Sequence, residues 1–160
     1  MWHRRAQSRR CLIPRKRPPS PREPHFHAQP VAMKTPWKPG PVADAPRVFV
    51  VATRLVWKRF RDLPEVLFTG LHFRSLWNDL EGAVGVQTGS LLLRRTILSI
   101  SVWESESAFQ AFMRHPWHQE LMERHRTRLS GSRSASWWTE DFDLRSAWKE
   151  GDRALTDDQR

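Results

Sequence analysis

Tyrosine is absent from this 160-residue chain, cysteine occurs once and glycine seven times. The missing tyrosines leave nine Trp and eight Phe as the whole aromatic supply, so burial of large rings leans on tryptophan. The one cysteine, Cys11, excludes an internal disulfide and a CxxC pair, and makes a reducing cytoplasm the default compartment. No window approaches the roughly 18 apolar residues that a membrane-spanning helix needs, which argues against a membrane partner. A glycine-rich phosphate loop and a G-x-S-x-G elbow are also missing, so dinucleotide and serine-nucleophile chemistry have no visible residues. Acidic side chains are outnumbered 17 to 27 by Lys and Arg, and a formal charge of +10 points to nucleic acid only if it belongs to the folded part.

It does not. Residues 1–46 carry ten Lys/Arg against Glu23 and Asp44, whereas residues 47–160 carry 17 against 15. The first 46 residues also hold ten of the twelve prolines and show no apolar period, which predicts a disordered basic leader. Ser8-Arg9-Arg10-Cys11-Leu12 resembles the start of a twin-arginine export signal, but Pro14-Arg15-Lys16-Arg17-Pro18-Pro19 stands where the apolar region must follow. Met33 opens a plausible start of its own, so residues 1–32 read as untranslated upstream sequence, as a basic arm for an acidic partner, or as a solvated tail.

From Arg47 the chain becomes orderly. Residues 47–57 (RVFVVATRLVW) are β-branched and apolar on both faces except at Thr53 and Arg54, predicting a strand covered on two sides. Asp62-Leu63-Pro64-Glu65 reads as a capping box opening a first helix that runs to about Glu81, with Gly70 a possible kink. Gly82 supplies a left-handed stop, and residues 83–93 form a second strand interrupted by Gly85 and Gly89. Arg94-Arg95 turns it into a third strand, Thr96–Trp103, as an antiparallel hairpin. Ser105 caps a second helix from Glu106 to Arg128, stressed at Pro116; Ser130-Gly131-Ser132 ends it, and residues 133–140 supply strand four. Residues 141–160 read as a polar C-terminal tail, a short helix followed by a frayed end.

The order βαββαβ predicts an α+β, ferredoxin-like domain over residues 47–140: a four-stranded antiparallel sheet with two helices on one face. Because strand one is apolar on both faces and helices cover only one, the other face is expected to be buried by a second copy in a homodimer. That dimer would also hide the open aromatic sheet face on which single-stranded RNA stacks, arguing against nucleic acid as a partner.

This order, together with the stretch SVWESESAFQAFMRHPWHQELM over residues 101–122, resembles the dimeric α/β-barrel superfamily and, within it, the antibiotic-biosynthesis-monooxygenase-like proteins. The hairpin Leu92-Leu93-Arg94-Arg95-Thr96, the strand LSISVWE and His118 resemble most closely the spheroidene-monooxygenase-like branch. The resemblance implies a cavity between sheet and helices, a small hydrophobic aromatic or polyene metabolite, and either no cofactor or haem. Haem-degrading relatives place a Trp and an iron-ligating His on helix two; aligned on WESESAF, those positions fall on Phe112 and Met122, so His118 or His125 would have to bind the iron.

His115, His118, Met122 and His125 share one stripe of an unbroken helix. The stripe lacks an i, i+4 histidine pair and recruits no Cys, Asp or Glu, which disfavours a metal site. The polar face Ser99, Ser101 and Trp103, with Thr53 or Arg54 and Trp137 or Trp138, is the expected pocket lining. The candidate catalytic contacts are therefore His118, Trp103 and Arg54, and the candidate cofactor contacts His118 and His125. Two functions stand open: a monooxygenase-like enzyme, or a non-catalytic ligand-binding or dimeric accessory protein using the same cavity. His72 is a further possible base, but more plainly a surface histidine beside Arg74.

Overall fold

A computed structural model of the chain describes residues 33–157. Of the leader expected over residues 1–46, residues 1–32 lie outside the described residues. In chain order the elements are β1 (Met33–Lys34), β2 (Lys38–Pro39), β3 (Val48–Trp57), α1 (Leu63–Ser75), β4 (Ala83–Leu91), β5 (Thr96–Trp103), α2 (Glu106–Arg114), α3 (Pro116–Arg126), β6 (Leu129–Thr139) and α4 (Leu144–Asp157).

The β-branched run Val48–Trp57 takes the centre of the sheet, where its two apolar faces are both usable. It pairs antiparallel with β5 on one side and β6 on the other, and β4 joins the far edge of β5. The resulting order β4-β5-β3-β6 is the ferredoxin-like arrangement the sequence predicts. Strand pleating divides the side chains into two cores. Phe49, Val51, Val86 and Trp103 pack under α1 and α2, against Phe73, Phe109 and Phe112. Val48, Val50, Ala52, Leu98, Ile100 and Val102 face the other way.

That second face does not wait for another copy. Helix α4 lies across it and buries Ala147 and Leu155 there, with Trp148 and Leu144 alongside. The short helix expected in the tail is α4, and it is not merely polar: leucine, alanine and tryptophan recur at helical spacing within an otherwise charged segment, and that stripe is what the sheet buries. At roughly 1.5–3 kcal/mol for each fully buried aliphatic side chain, a face holding Val50, Ile100 and Val102 at 0–1% exposure is a major part of the stability. The sheet itself is open and not closed into a barrel: β6 has a partner on one side only.

Part of the stretch expected to be leader is ordered. Residues 33–39 pair as β1 and β2 along the outer edge of β4, with Met33 opposite Ser90 and Lys38 opposite Val86. An unpaired β4 would expose a row of backbone donors and acceptors, and this segment satisfies them. Trp37 sits over Gly85, where any side chain would collide with the indole. Arg74 holds the segment from α1 by donating to Thr35 Oγ1 at 2.9 Å and to the Pro36 carbonyl at 2.8 Å.

Local expectations are met at three points. Ser105 is extended and accepts from the Ala108 amide at 3.1 Å, Gly82 has φ +74°, and the β4–β5 hairpin turns through Arg95 at φ 52°. Others need correction. Helix α1 stops at Ser75 and passes into a 3-10 turn over Leu76–Asp79. A preceding 3-10 turn, Phe60–Asp62, leaves Asp62 helical and unable to cap, while Glu65 turns to Arg128 instead of closing a capping box. The second helix is two helices. Pro116 forces His115 out of the helical region, to φ −60° and ψ 129°, so α2 ends there and α3 begins with proline in its first turn. Ser130, Gly131 and Ser132 belong to β6.

Candidate functional site

Between the sheet and helices α1, α2 and α3 lies a cavity of about 280 Å³. The pleat aims Val51, Thr53, Leu55 and Trp57 of β3 and Ile97, Ser99 and Ser101 of β5 into it. Helix α1 contributes Val66, Gly70 and Phe73; α2 and α3 contribute Phe112, His118, Met122 and His125. The break at Pro116 turns α3 so that His118 and His125 both reach the space. His115 does not join them: it is the exposed N-cap of α3 and accepts from the Trp117 amide at 3.3 Å.

The lining contains no Lys, Arg, Asp or Glu. Its only titratable side chains are the two imidazoles, and burial pushes the pKa of both below the usual histidine value. For His118 the nearby His115 reinforces the effect and the Met113 carbonyl opposes it. For His125, Glu65 and Asp62 oppose it while Arg128 and Arg124 reinforce it. Both rings are accordingly neutral near pH 7 and able to accept a proton.

Several polar atoms in these walls have no hydrogen-bond partner within the protein. They are Nε1 of Trp57, Nε1 of Trp77, Nδ1 of His118 and both ring nitrogens of His125. Buried polar groups are nearly always paired, so these nitrogens, each closed off from solvent, are exceptions gathered among the residues that line the cavity. Serine and threonine hydroxyls of Thr53, Thr88, Ser99 and Ser134 add polar points to otherwise apolar walls.

The expected contacts are thus only partly brought together. His118 and His125 line the cavity, as do Thr53, Ser99 and Ser101. Arg54 does not: it is cross-strand from Leu98, and cross-strand partners share a face, so the pleat places it on the α4 side. Trp103 is fully buried behind the wall, 0% exposed, and donates from Nε1 to Ser101 Oγ at 3.1 Å. It orients a lining hydroxyl and touches no ligand space. Trp137 packs in the α4 core, and Trp138 lies tilted against Phe49 with Arg47 over its ring, and neither lines the cavity. His72 is exposed on α1. Trp57 and Trp77 are the contacts the sequence reading missed; Trp57 shares the odd-numbered parity of Val51, Thr53 and Leu55, which was the available signal.

The donor set does not suit haem. His118 and His125 are the possible iron ligands, but neither His118 Nδ1 nor either nitrogen of His125 has the hydrogen bond that normally fixes an axial imidazole. No cation lines the cavity to meet the two propionates. Among the described residues no group of three or more His, Cys, Asp or Glu is arranged to hold a metal ion.

No protein-family model matches the chain, and no curated protein matches it. Its fold recurs in solved structures. A candidate monooxygenase from Fusobacterium nucleatum superposes with a TM-score of 0.54 at 14% identity, over 62% of this chain and 46% of that one. A protein of unknown function from Nitrosomonas europaea gives 0.51 at 18% identity, over 63% and 97%. A ferredoxin-fold protein from Listeria monocytogenes related to antibiotic biosynthesis monooxygenases gives 0.47 at 20% identity, over 58% and 57%. The match spans about half the length of the Fusobacterium protein. What is shared is architecture: this is an α+β chain of ferredoxin-like fold.

Proposed function

We propose that the chain is a monooxygenase-like protein that takes a hydrophobic aromatic or polyene metabolite into the cavity between its sheet and helices α1–α3. The observation that carries this reading is a wall without a single ionic side chain, broken by two neutral imidazoles and by unpaired indole N–H groups. Such a wall gains nothing from a charged ligand, which would lose its hydration with no counter-ion to replace it. It suits an apolar ring system or polyene bearing a few oxygens. His118, ringed by Phe112 at a centroid distance of 4.4 Å, is the proposed proton acceptor. It would take a proton from an enol or phenol, leaving an electron-rich, carbanion-like anion that apolar walls shield from water. That anion reduces molecular oxygen and bonds to it at carbon, and the resulting hydroperoxide expels water to leave a ketone. The substrate thus supplies the electrons; one oxygen stays in the product and the other leaves as water. Trp103 acts through Ser101 as a positioning residue.

The test is incubation with a panel of polycyclic phenols and polyenes under ¹⁸O₂, read by mass spectrometry. One ¹⁸O atom should enter a product, and His118→Phe should cut the yield at least tenfold, in line with loss of a general base. No incorporation from any member would refute catalysis.

The second reading is a non-catalytic ligand-binding or accessory protein, favoured by the withdrawal of Trp103 and Arg54 from the cavity. For assembly we propose a homodimer in the cytoplasm. Its support is the long unpaired edge of β6, since α4 already covers the face first assigned to a second copy. Light scattering of the purified chain reads the mass directly. No helix among the described residues is long and apolar enough to cross a membrane.

A further inference from the structure

We infer that the β4–β5 hairpin tip, together with the turn that follows β3, docks on an anionic lipid bilayer. Leu92, Leu93 and Phe60 enter the interface, and a collar of Lys and Arg meets the headgroups. The contact needs neither a ligand in the cavity nor a reaction, so it stands apart from the proposed function.

Residues 92–95 and 58–61 stand at the same end of the sheet, where β3 and β4 finish and β5 begins. Arg95 fastens them together. Its carbonyl accepts from the Trp57 amide at 2.8 Å, its Nη1 donates to the Lys58 carbonyl at 2.5 Å, and its guanidinium lies 5.3 Å from the Phe60 ring centroid. The two turns are thus one surface, and it holds apolar side chains out to water: Leu93 is 91% exposed, Phe60 55% and Leu92 37%. Tight turns ordinarily carry Gly, Asn, Asp or Ser, and large apolar side chains grouped at one end of a molecule mark a contact surface.

The charge around them identifies the contact. Lys58, Arg59, Arg61 and Arg94 are exposed, and among the described residues none of the last three is ion-paired. The carboxylates beside them are Asp62 and Glu65, and Glu65 is engaged by Arg128. Between Lys58, Arg59, Arg61 and Arg128 lies a cleft of about 480 Å³, with room for a lipid phosphate. A nucleic acid would match the cations and gain nothing from the leucines, whereas an apolar groove on a protein would take the leucines and leave the cations unmatched. An anionic bilayer answers both, with charge at its headgroups and hydrocarbon beneath them. Each basic side chain near such a surface strengthens partitioning about fivefold, and salt screens the attraction. A contact of this kind needs no membrane-spanning helix.

Cys11 is the only cysteine, so Cys11→Ser leaves a full chain into which a single thiol can be placed and labelled with the polarity-sensitive fluorophore NBD. Leu93→Cys puts the label at the tip, and Glu140→Cys puts it just beyond β6, at the opposite end of the sheet. Vesicles of equal parts phosphatidylcholine and phosphatidylserine should brighten the label at 93 and leave that at 140 unchanged; high salt or pure phosphatidylcholine should abolish the gain. Leu92→Ser/Leu93→Ser alters exposed residues and keeps every charge, and should weaken vesicle co-sedimentation about tenfold or more. Arg59→Gln/Arg61→Gln/Arg94→Gln should do the same at low salt. The basic residues before Met33 also attract anionic vesicles, so the label and the serine variant decide the matter. No response at 93, whether or not the chain sediments, would overturn the inference, as would undiminished binding by the double serine variant. Equal brightening at 93 by polyuridylate would overturn it in favour of a general polyanion site.

Discussion

Alanine at Gly151 and alanine at Gly70 are the same substitution in the interiors of two helices, and the structure gives them opposite signs. In an unconstrained helix, Gly→Ala stabilises by up to about 1 kcal/mol, because glycine loses the most backbone freedom on folding. At Gly70 in α1 nothing lies within 4 Å of the added Cβ, so most of that gain should be realised. At Gly151 in α4 the added Cβ would sit 2.8 Å from the Ala52 Cβ and 3.1 Å from Ile100 Cδ1. Ile100 can adjust its side chain. Ala52 cannot, since its Cβ is fixed by a strand paired on both sides, so the helix must lift off the sheet. Overpacking of this kind costs about 1–3 kcal/mol, which outweighs the propensity gain and leaves a net loss of about 1 kcal/mol. Gly151→Val, adding two more methyl groups, should lose roughly 3 kcal/mol. Thermal unfolding followed by tryptophan fluorescence would show this as shifts of roughly 2–4 °C per kcal/mol, upward for Gly70→Ala and downward for both Gly151 variants. If Gly151→Ala raises the midpoint as Gly70→Ala does, α4 does not lie against the sheet and the second core is wrong.

Three other outcomes are expected. Gly85→Ala should expel Trp37 and undock residues 33–39, seen as faster proteolysis in that segment while the remaining domain stays resistant. Ser105→Ala removes the Ala108 amide's acceptor and should cost about 1 kcal/mol in denaturant titration, with the loss recovered by Asp at the same position. Burial holds His118 and His125 below the usual histidine pKa, so the unfolded chain binds more protons than the folded one as pH drops. Their contribution is fully present above the unfolded value of about 6.5 and lost as pH falls through and below it. The urea midpoint should therefore decline between pH 7.5 and 5.5, and the His118→Phe/His125→Phe double variant should decline less.

The core of the fold was legible because its signals are local. A β-branched run apolar on both faces in residues 47–57 and alternation in residues 96–103 mark the central strands, Ser105 marks its own helix start, and Gly82 marks a stop. What escaped depends on contacts between distant segments. Helix α4 reads as polar because its buried stripe uses Ala147 and Gly151, whose value lies in allowing close approach and not in hydrophobicity. The pairing of residues 33–39 comes from the need of β4 for an edge partner, which composition does not reveal. At the site, the residue types were visible and their directions less so. Arg54 was grouped with Thr53, yet register with Leu98 sends it to the opposite face. Trp103 was read as a contact, and its hydrogen bond to Ser101 seals it behind one. Trp57 was not singled out because an unpaired indole nitrogen is a property of its neighbours, not of its position in the chain.

The nine tryptophans make the central claim open to one spectrum. In ¹⁵N-indole NMR the tryptophan side chains report alone, and titration with 2-naphthol compares cavity indoles with indoles elsewhere. The account predicts that the N–H resonances of Trp57 and Trp77 move, while Trp148, bonded to Gln87 at 2.6 Å, and Trp137, packed under α4, stay in place. Silence from Trp57 and Trp77, or movement of Trp148 and Trp137 in their stead, would contradict the assignment of the cavity as the ligand site.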